Sequence, residues 1–435
     1  MVSVRFFLAA AYALLSAGAS ATPAHDATPA TAEAPPLSLS AAVAHTLAHN
    51  PELAQSAFRL LAQDARVDAA GLRAAPELHT QIENAFGSGR ARGLSGVEAT
   101  FALSQVVELG GQRDRRLDVA RESRAAAGIE TAIGQLDVLA ELGRRFIHVA
   151  SDQKQLELTG VATELAGKTV TEVERRVRAA KSPEVELNRA RISFARARVE
   201  QEHAEHELLT SRRKLAAMWG ATEAGFGTVD ADLFRLPMVG DLESLTDQLA
   251  ASPDFLRYAT AARQRDAEIR LAEAKARSQF TVSAGARWLA DTDDAAFVGG
   301  ISVPLFGHRQ AQPRIAEARA VRAEVDVETR AARVRAEASL FELVQELRHA
   351  ITEAEVLRDE VLPQMEAALV ATEYAWQRGR YSYLEWTEAQ RERIAVQRAL
   401  IEAAANAHIF QVEIERLTGA AIPATESRTD AGVTP

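Results

Sequence analysis

The feature that most constrains this chain is an internal duplication. Asn50-Pro51-Glu52-Leu53 recurs as Ser252-Pro253-Asp254-Phe255, and Leu103-Ser104-Gln105-Val106-Val107 with Gly110-Gly111-Gln112-Arg113 resembles Ile301-Ser302-Val303-Pro304-Leu305 with Gly307-His308-Arg309. The ends agree as well, Leu215-Ala216-Ala217-Met218-Trp219-Gly220 against Ile414-Glu415-Arg416-Leu417-Thr418-Gly419. The offset stays near two hundred residues throughout. That describes two copies of one large unit and excludes a solenoid of short repeats. The copies run over 37–224 and 241–420, with 225–240, which carries Pro237 and several glycines, as the linker between them.

Within each copy the hydrophobic period changes. Helical text from Pro51 to Ala75 gives way to alternation at Leu78, Thr80, Ile82, Asn84 and Phe86, then, after the loop Gly87–Gly93, at Val97, Ala99, Phe101 and Leu103. The second copy repeats this with Phe280, Val282, Ala284, Ala286 and Trp288, a turn near Asp291–Asp294, and Phe297 to Leu305. Each copy is therefore expected to hold one hairpin, at about 78–107 and about 280–305. Its strands, about nine or ten residues long, match what a tilted strand needs to cross a bilayer.

After each hairpin the text is helical for a long way. No proline occurs from Glu77 to Ser182, and Val107–Arg178 predicts a helix of about 70 residues, roughly 105 Å long. From Pro183 the chain turns back with a seven-spaced row, Leu187, Phe194, Gln201, Leu208 and Leu215, accompanied by Ala190, Ala197, Ala204, Ser211 and Met218 three positions on. A separate row, Val185, Ile192 and Val199, lies on another face. Two apolar seams on one helix mean two neighbours, which suits a ring of helices. The second copy behaves alike from Arg314 to Arg378, except that Pro363 is expected to break or kink it.

The ends of the chain are read separately. Arg5, the apolar run Phe6–Leu15 and Ala19-Ser20-Ala21 describe a signal peptide over 1–21, cleaved before Thr22. Residues 22–36 read as a flexible Pro/Ala/Thr tether and 421–435 as a disordered tail. Composition removes several function classes. A formal charge of −10 argues against nucleic-acid binding. The absence of cysteine excludes a disulfide scaffold, thiolate zinc sites, a cysteine nucleophile and a lipidated N-terminal cysteine. A mean hydropathy of −0.13, with no long apolar run after the N-terminus, excludes a bundle of membrane-spanning helices, so any membrane crossing falls to the strands.

Four strands per chain then raise a closure problem. A four-stranded sheet encloses nothing, and an open edge in lipid leaves backbone groups unsatisfied at several kcal/mol each. Copies of the chain solve it: two give eight strands, whose interior side chains fill, and three give twelve, wide enough for a lumen.

This pattern resembles that of the TolC-type outer-membrane efflux proteins over about Leu37 to Gly419. The segment Val303-Pro304-Leu305-Phe306-Gly307 with Arg309-Gln310, Leu109-Gly110-Gly111-Gln112-Arg113, and Leu362-Pro363-Gln364 with Tyr374 and Gly379 through Glu385 are similar to the branch serving cobalt, zinc and cadmium exporters. The resemblance implies a mainly α fold with a small β part. Long antiparallel helical hairpins would form a trimeric α-barrel continuous with a 12-stranded β-barrel, four strands per chain. It further implies a passive channel in the outer membrane with its helical tunnel in the periplasm. A periplasmic membrane-fusion adaptor and a proton-driven inner-membrane exporter would be its partners, and heavy-metal cations its cargo. No enzymatic activity or cofactor is expected. A drug or protein-secretion channel of the same fold, and a periplasmic coiled-coil scaffold without a pore, are the rival readings.

The candidate site is the closed end, where the long helices reverse. Arg178, Lys181, Ser182 and Pro183 form one turnaround and Arg378, Gly379, Arg380, Tyr381 and Ser382 the other, and the resemblance assigns these tips to adaptor docking and gating. Gly379 and Ser382 suit a tight reversal and Pro183 the first turn of a helix, so a purely architectural role is the alternative. His203 and His206 are three apart within Glu202–Glu207 and are the nearest thing to metal ligands, against the plainer reading of an exposed polar helix face. His45 and His49 carry the same discount. The glycines of 87–93 lack the dinucleotide-binding spacing and read as a hairpin turn.

Overall fold

A computed structural model describes residues 35–277, 279–305 and 307–420. The signal segment, the tether as far as residue 34 and the tail expected from the sequence lie outside these residues. A short strand β1 (Leu37–Ser38) leads into α1 (Leu39–His49) and α2 (Pro51–Gly71). The break between them is written in Asn50-Pro51. Asn50 Oδ1 accepts from the Glu52 and Leu53 N–H groups at 2.9 and 3.0 Å, and Pro51 occupies the first helical position, where a missing N–H costs nothing. The second copy places α5 (Leu242–Ala251) and α6 (Pro253–Lys275) around Ser252-Pro253, again with proline in the first turn but with no side-chain cap from Ser252.

Two hairpins form one antiparallel sheet. β2 (Glu77–Glu83) pairs with β3 (Glu98–Val107), and β5 (Phe280–Leu289) with β6 (Asp294–Ser302), while β3 and β5 join the copies in the order β2-β3-β5-β6. The alternation read as far as Phe86 stops at Glu83, because Asn84 and Phe86 take positive φ of 55° and 59° and turn the chain. On the other hairpin β6 ends at Ser302, two residues before Pro304 and short of the expected Leu305.

From the sheet the chain enters α3 (Gln112–Arg178), 67 residues and roughly 100 Å long. Its expected start at Val107 moves to Gln112, because Gly110 and Gly111 both take left-handed φ and make the corner. It returns as α4 (Glu184–Ala216). The matching pair in the second copy is α7 (Gly307–Val356) and α9 (Tyr383–Thr418), with α8 (Leu362–Gln377) after a π turn over Leu357–Val361. The break expected at Pro363 is this π turn, which puts Pro363 into the first turn of a new helix.

The helices lie in two layers that continue the sheet. Beside the sheet the packing order is α2, α3, α6, α7; below it the order is α4, α3, α9, then α7 and α8. Between the layers sits a belt. Gly220 and Gly419, both left-handed, end the returning runs and settle against Pro51 and against Pro253. Asn50 Nδ2 donates to the Met218 carbonyl at 2.8 Å. Residues 225–240, read as the linker, are a packed strap: Phe226, Val229 and Leu233 are buried, and Val229–Asp230 forms strand β4, parallel to β1. Leu142, Leu215 and Met218 share that core, while Leu249, Leu340, Val344, Leu347 and Ile414 make the second copy's own.

Candidate functional site

The sheet has two chemically distinct faces, because successive side chains alternate. One carries Leu78, Ile82, Phe101, Leu103, Trp288, Phe297 and Ile301, all exposed and placed opposite apolar or small neighbours across the ladder. The other carries His79, Gln81, Glu83, Glu98, Thr100 and Arg287. Arg287 Nη1 lies 2.9 Å from Glu98 and Nη2 3.4 Å from Glu83, and Nε donates to Thr100 Oγ1 at 3.0 Å. An apolar face able to meet lipid is thus backed by a polar face. Among the described residues no helix is long and apolar enough to cross a membrane. The Gly87–Gly93 stretch joins β2 to β3, with Gly89 and Gly93 at positive φ and the Phe86 N–H donating to the Gly93 carbonyl at 2.8 Å.

At the far end of the long helices the two turnarounds lie side by side. α3 ends at Arg178, Ala180 takes a positive φ of 54°, and Pro183 caps α4; Arg178, Lys181 and Pro183 are exposed and Ser182 half-buried. α8 ends at Gln377, Gly379 takes a φ of 72°, and Ser382 caps α9. Ser382 Oγ accepts from the Glu385 N–H at 3.3 Å, while the Ser382 N–H and hydroxyl donate to Glu385 Oε2 at 2.7 and 2.8 Å. Those two bonds, the backbone one foremost, pull the Glu385 carboxyl below the usual range. Arg378, Gly379, Arg380 and Tyr381 are exposed. Of the cations, Arg178 pairs with Glu174 at 3.1 Å and Arg378 covers the Tyr374 ring at 4.2 Å.

Beneath the turns lies a cluster that sequence reading did not find. Trp376 on α8 stacks on Trp386 of α9 at 4.0 Å between centroids, with Tyr383 edge-on to Trp386 at 6.4 Å. Val173 of α3 and Leu187 and Ala190 of α4 complete it, all six residues buried. Burial raises the Tyr383 phenol above its usual range. Two of the chain's four tryptophans meet here. Their concentration around a helix reversal in an aromatic-poor sequence was the available signal.

His203 and His206 sit exposed on α4, and among the described residues no group of three or more His, Asp, Glu or Cys side chains is arranged to hold a metal. The structure does not bring the two into a site with the tip. His45 and His49 stack loosely near Trp219 at the belt. A cleft of about 440 Å³ opens between α3, α4 and α9 above the tip, floored by Ala162, Ala166 and Ala197 and rimmed by Arg196, Arg391 and Arg398.

Comparison with known proteins agrees with this geometry. Residues 42–221 match the model of the family described as outer membrane efflux protein. The cobalt-zinc-cadmium resistance protein CzcC of Cupriavidus metallidurans is 27% identical over 358 residues, covering 82% of this chain and 84% of that one. The nickel-cobalt-cadmium resistance protein NccC of Alcaligenes xylosoxydans is 27% identical over 312 residues, 69% of each chain. Among solved structures, CusC superposes with a TM-score of 0.74 at 14% identity over 88% of this chain and 92% of that one. The outer membrane protein VceC of Vibrio cholerae gives 0.71 at 18% identity over 88% and 96%. At such identities the structural likeness concerns the fold.

Proposed function

The chain belongs to the outer membrane efflux protein family, and on that footing we propose that three copies close into one passive channel carrying divalent heavy-metal cations across the outer membrane. The observation that carries this reading is the set of open edges. The sheet and both helical layers each run from a first-copy edge (β2, α2, α4) to a second-copy edge (β6, α7, α8). Those edges hold apolar side chains that stay exposed among the described residues: Val185, Ile192 and Val199 on α4, Phe58 and Leu61 on α2, Val327, Val334 and Phe341 on α7, Val370 on α8. Joining β6 of one copy to β2 of the next satisfies the ladder, and three copies give twelve strands around a lumen faced by Arg287, Glu83 and Glu98. The apolar face then meets lipid.

The tips follow. Arg178, Lys181, Ser182 and Pro183 with Arg378, Gly379, Arg380, Tyr381 and Ser382 form the periplasmic end that docks the adaptor, through which the inner-membrane proton-driven exporter delivers cargo. Efflux, not catalysis, is the family's activity, and the driving energy belongs to the pump. Metal cargo is supported by the relatives named for cobalt, zinc, cadmium and nickel resistance.

The test has two parts. The protein should sediment with the outer membrane and run as a heat-modifiable trimer; extraction without detergent would end the channel reading. A strain lacking the gene, with its pump still expressed, should lose tolerance to cobalt, zinc and cadmium. Unchanged metal tolerance with new sensitivity to dyes or detergents would assign the channel to drugs instead.

A further inference from the structure

Histidine is scarce in this chain, ten in 435 residues, and only His45 and His49 stand four apart. Both lie on α1, where four residues make about one turn, so the two side chains leave the same face. Zinc proteases use this spacing of two histidines on a helix to hold a metal. The helix is fixed from behind. Ala42 and Thr46 are fully buried, and Ser38 Oγ accepts from the Ala41 N–H at 3.2 Å at the first turn. Both histidines remain exposed. A held backbone thus presents two mobile imidazoles.

His49 is also oriented for coordination. Its Nδ1 lies 3.2 Å from the His45 carbonyl oxygen, which can only accept, so in the neutral ring Nδ1 donates and Nε2 keeps its lone pair. Metal-ligating histidines are held in this way, with the second ring nitrogen donating to a carbonyl or carboxylate. The two ring centroids are 6.4 Å apart and the planes tilted by 33°. A metal at about 2.0–2.1 Å from one nitrogen of each ring needs centroids roughly 5 Å apart. Rotation of two exposed side chains closes that gap without moving α1.

We propose that His45 and His49 form an exchangeable two-nitrogen site for a divalent transition cation, on α1 at the belt between the helical layers. Among the described residues no third His, Asp, Glu or Cys joins them, so water fills the remaining positions. Two imidazoles suit copper, nickel, cobalt and zinc, whereas magnesium and calcium take oxygen ligands. The site belongs to one helix of one chain and stands whether or not three copies close into a channel.

The whole protein, purified without a histidine tag in maltoside micelles, is titrated with Cu2+–iminodiacetate, whose chelator leaves room for two neighbouring nitrogens. Electron paramagnetic resonance should show one copper per chain with the splitting of two imidazole nitrogens. Trp219, whose ring centroid is 5.9 Å from that of His45, should be quenched in step. His45→Ala and His49→Ala should each abolish the signal, and the double variant His203→Ala/His206→Ala should leave it intact. All four histidines are exposed, so the helical spectrum should not move in any of these variants. Trp219→Phe should lose the quenching and keep the copper spectrum, which separates the reporter from the ligands. Competition by free ions should follow Ni2+ above Co2+, with Mg2+ silent. Absence of bound copper in the parent protein, full binding in His45→Ala, loss in the His203/His206 variant, or displacement by Mg2+ would each overturn the proposal.

Discussion

Asn50 and Ser252 occupy the same place in the two copies and are built to different effect, so the pair is its own control. Asn50 is buried, caps α2 through Oδ1, and donates from Nδ2 to the buried Met218 carbonyl, tying the start of one helix to the end of the first copy. Asn50→Ala removes a cap worth about 1 kcal/mol and leaves that buried carbonyl without its partner, a further cost of about 1–3 kcal/mol. The expected loss is roughly 2–4 kcal/mol. Asn50→Ser keeps a capping oxygen and loses only the bridge, so it should fall between. Ser252 makes no side-chain cap, and its buried hydroxyl has no partner among the described residues. Ser252→Ala therefore removes an unpaired polar atom and should be neutral or slightly stabilising. Urea unfolding of the detergent-solubilised protein, followed by helical circular dichroism, gives the midpoints of all four proteins. An unchanged slope is required for the comparison. A Ser252→Ala cost equal to that of Asn50→Ala would refute the assignment of stability to the Asn50 bridge.

Other substitutions test other levels. A Cβ at Gly285 would run into the Phe101 carbonyl oxygen and fall 2.5 Å from Ala102 Cα, both backbone, at the β3–β5 seam; Gly285→Ala should therefore cost about 1–3 kcal/mol or more and reduce heat-modifiable trimer on semi-native gels, and a normal yield would contradict it. Ile192 is 54% exposed within one chain, so Ile192→Glu should leave the helical spectrum intact and abolish the trimer; a stable trimer would remove this row from the interface. His408 donates from Nε2 to the Leu233 carbonyl at 3.0 Å, and burial holds its imidazole below the usual range. The unfolded chain then binds a proton that the folded one refuses, so stability should fall as pH drops below about 6.5. His408→Gln should flatten that slope in unfolding midpoints measured between neutral and mildly acid pH, and an unchanged slope would place the titration elsewhere.

What the sequence shows and what it hides divide along the range of the interaction. The strands were legible because an apolar residue at every second position writes itself into a few neighbouring letters. So was the seam of α4: Leu187, Ala190, Ala204, Ser211, Leu215 and Met218, read off the seven-residue spacing, are buried, while the second row, Val185, Ile192 and Val199, stays exposed within one chain. The strand and helix ends missed by a few residues were decided by backbone conformation, positive φ at Asn84, Phe86, Gly110 and Gly111, which no periodicity encodes. The tip cluster was hidden for another reason. Trp376 and Trp386 lie on different helices across a turn, Val173 lies some two hundred residues away, and only tertiary packing brings them together. Arg176, on the last turn of α3, is turned inward against the same Trp376 ring, an orientation that no spacing in the sequence writes.

The two copies also show how position in the wall decides what a helix tolerates. α3 runs unbroken for 67 residues, and α2, α4, α6 and α9 all pack along it. A kink there would misalign contacts on both sides at once. The corresponding run of the second copy lies at the edge, with neighbours inside the chain on one side, and this run carries the π turn at Leu357–Val361 and Pro363. A π turn lets the helix change direction while keeping most of its hydrogen bonds. The break falls beside the buried Ala354, Leu400 and Ala403, where Phe234 and Leu236 of the strap also pack. The duplication supplies two equivalent hairpins, and the edge copy is the one free to bend at the level of the belt. Substituting Pro363 alone would leave the π turn's extra residue in place, so the π turn should persist in Pro363→Ala and disappear only when one residue of Leu357–Val361 is deleted.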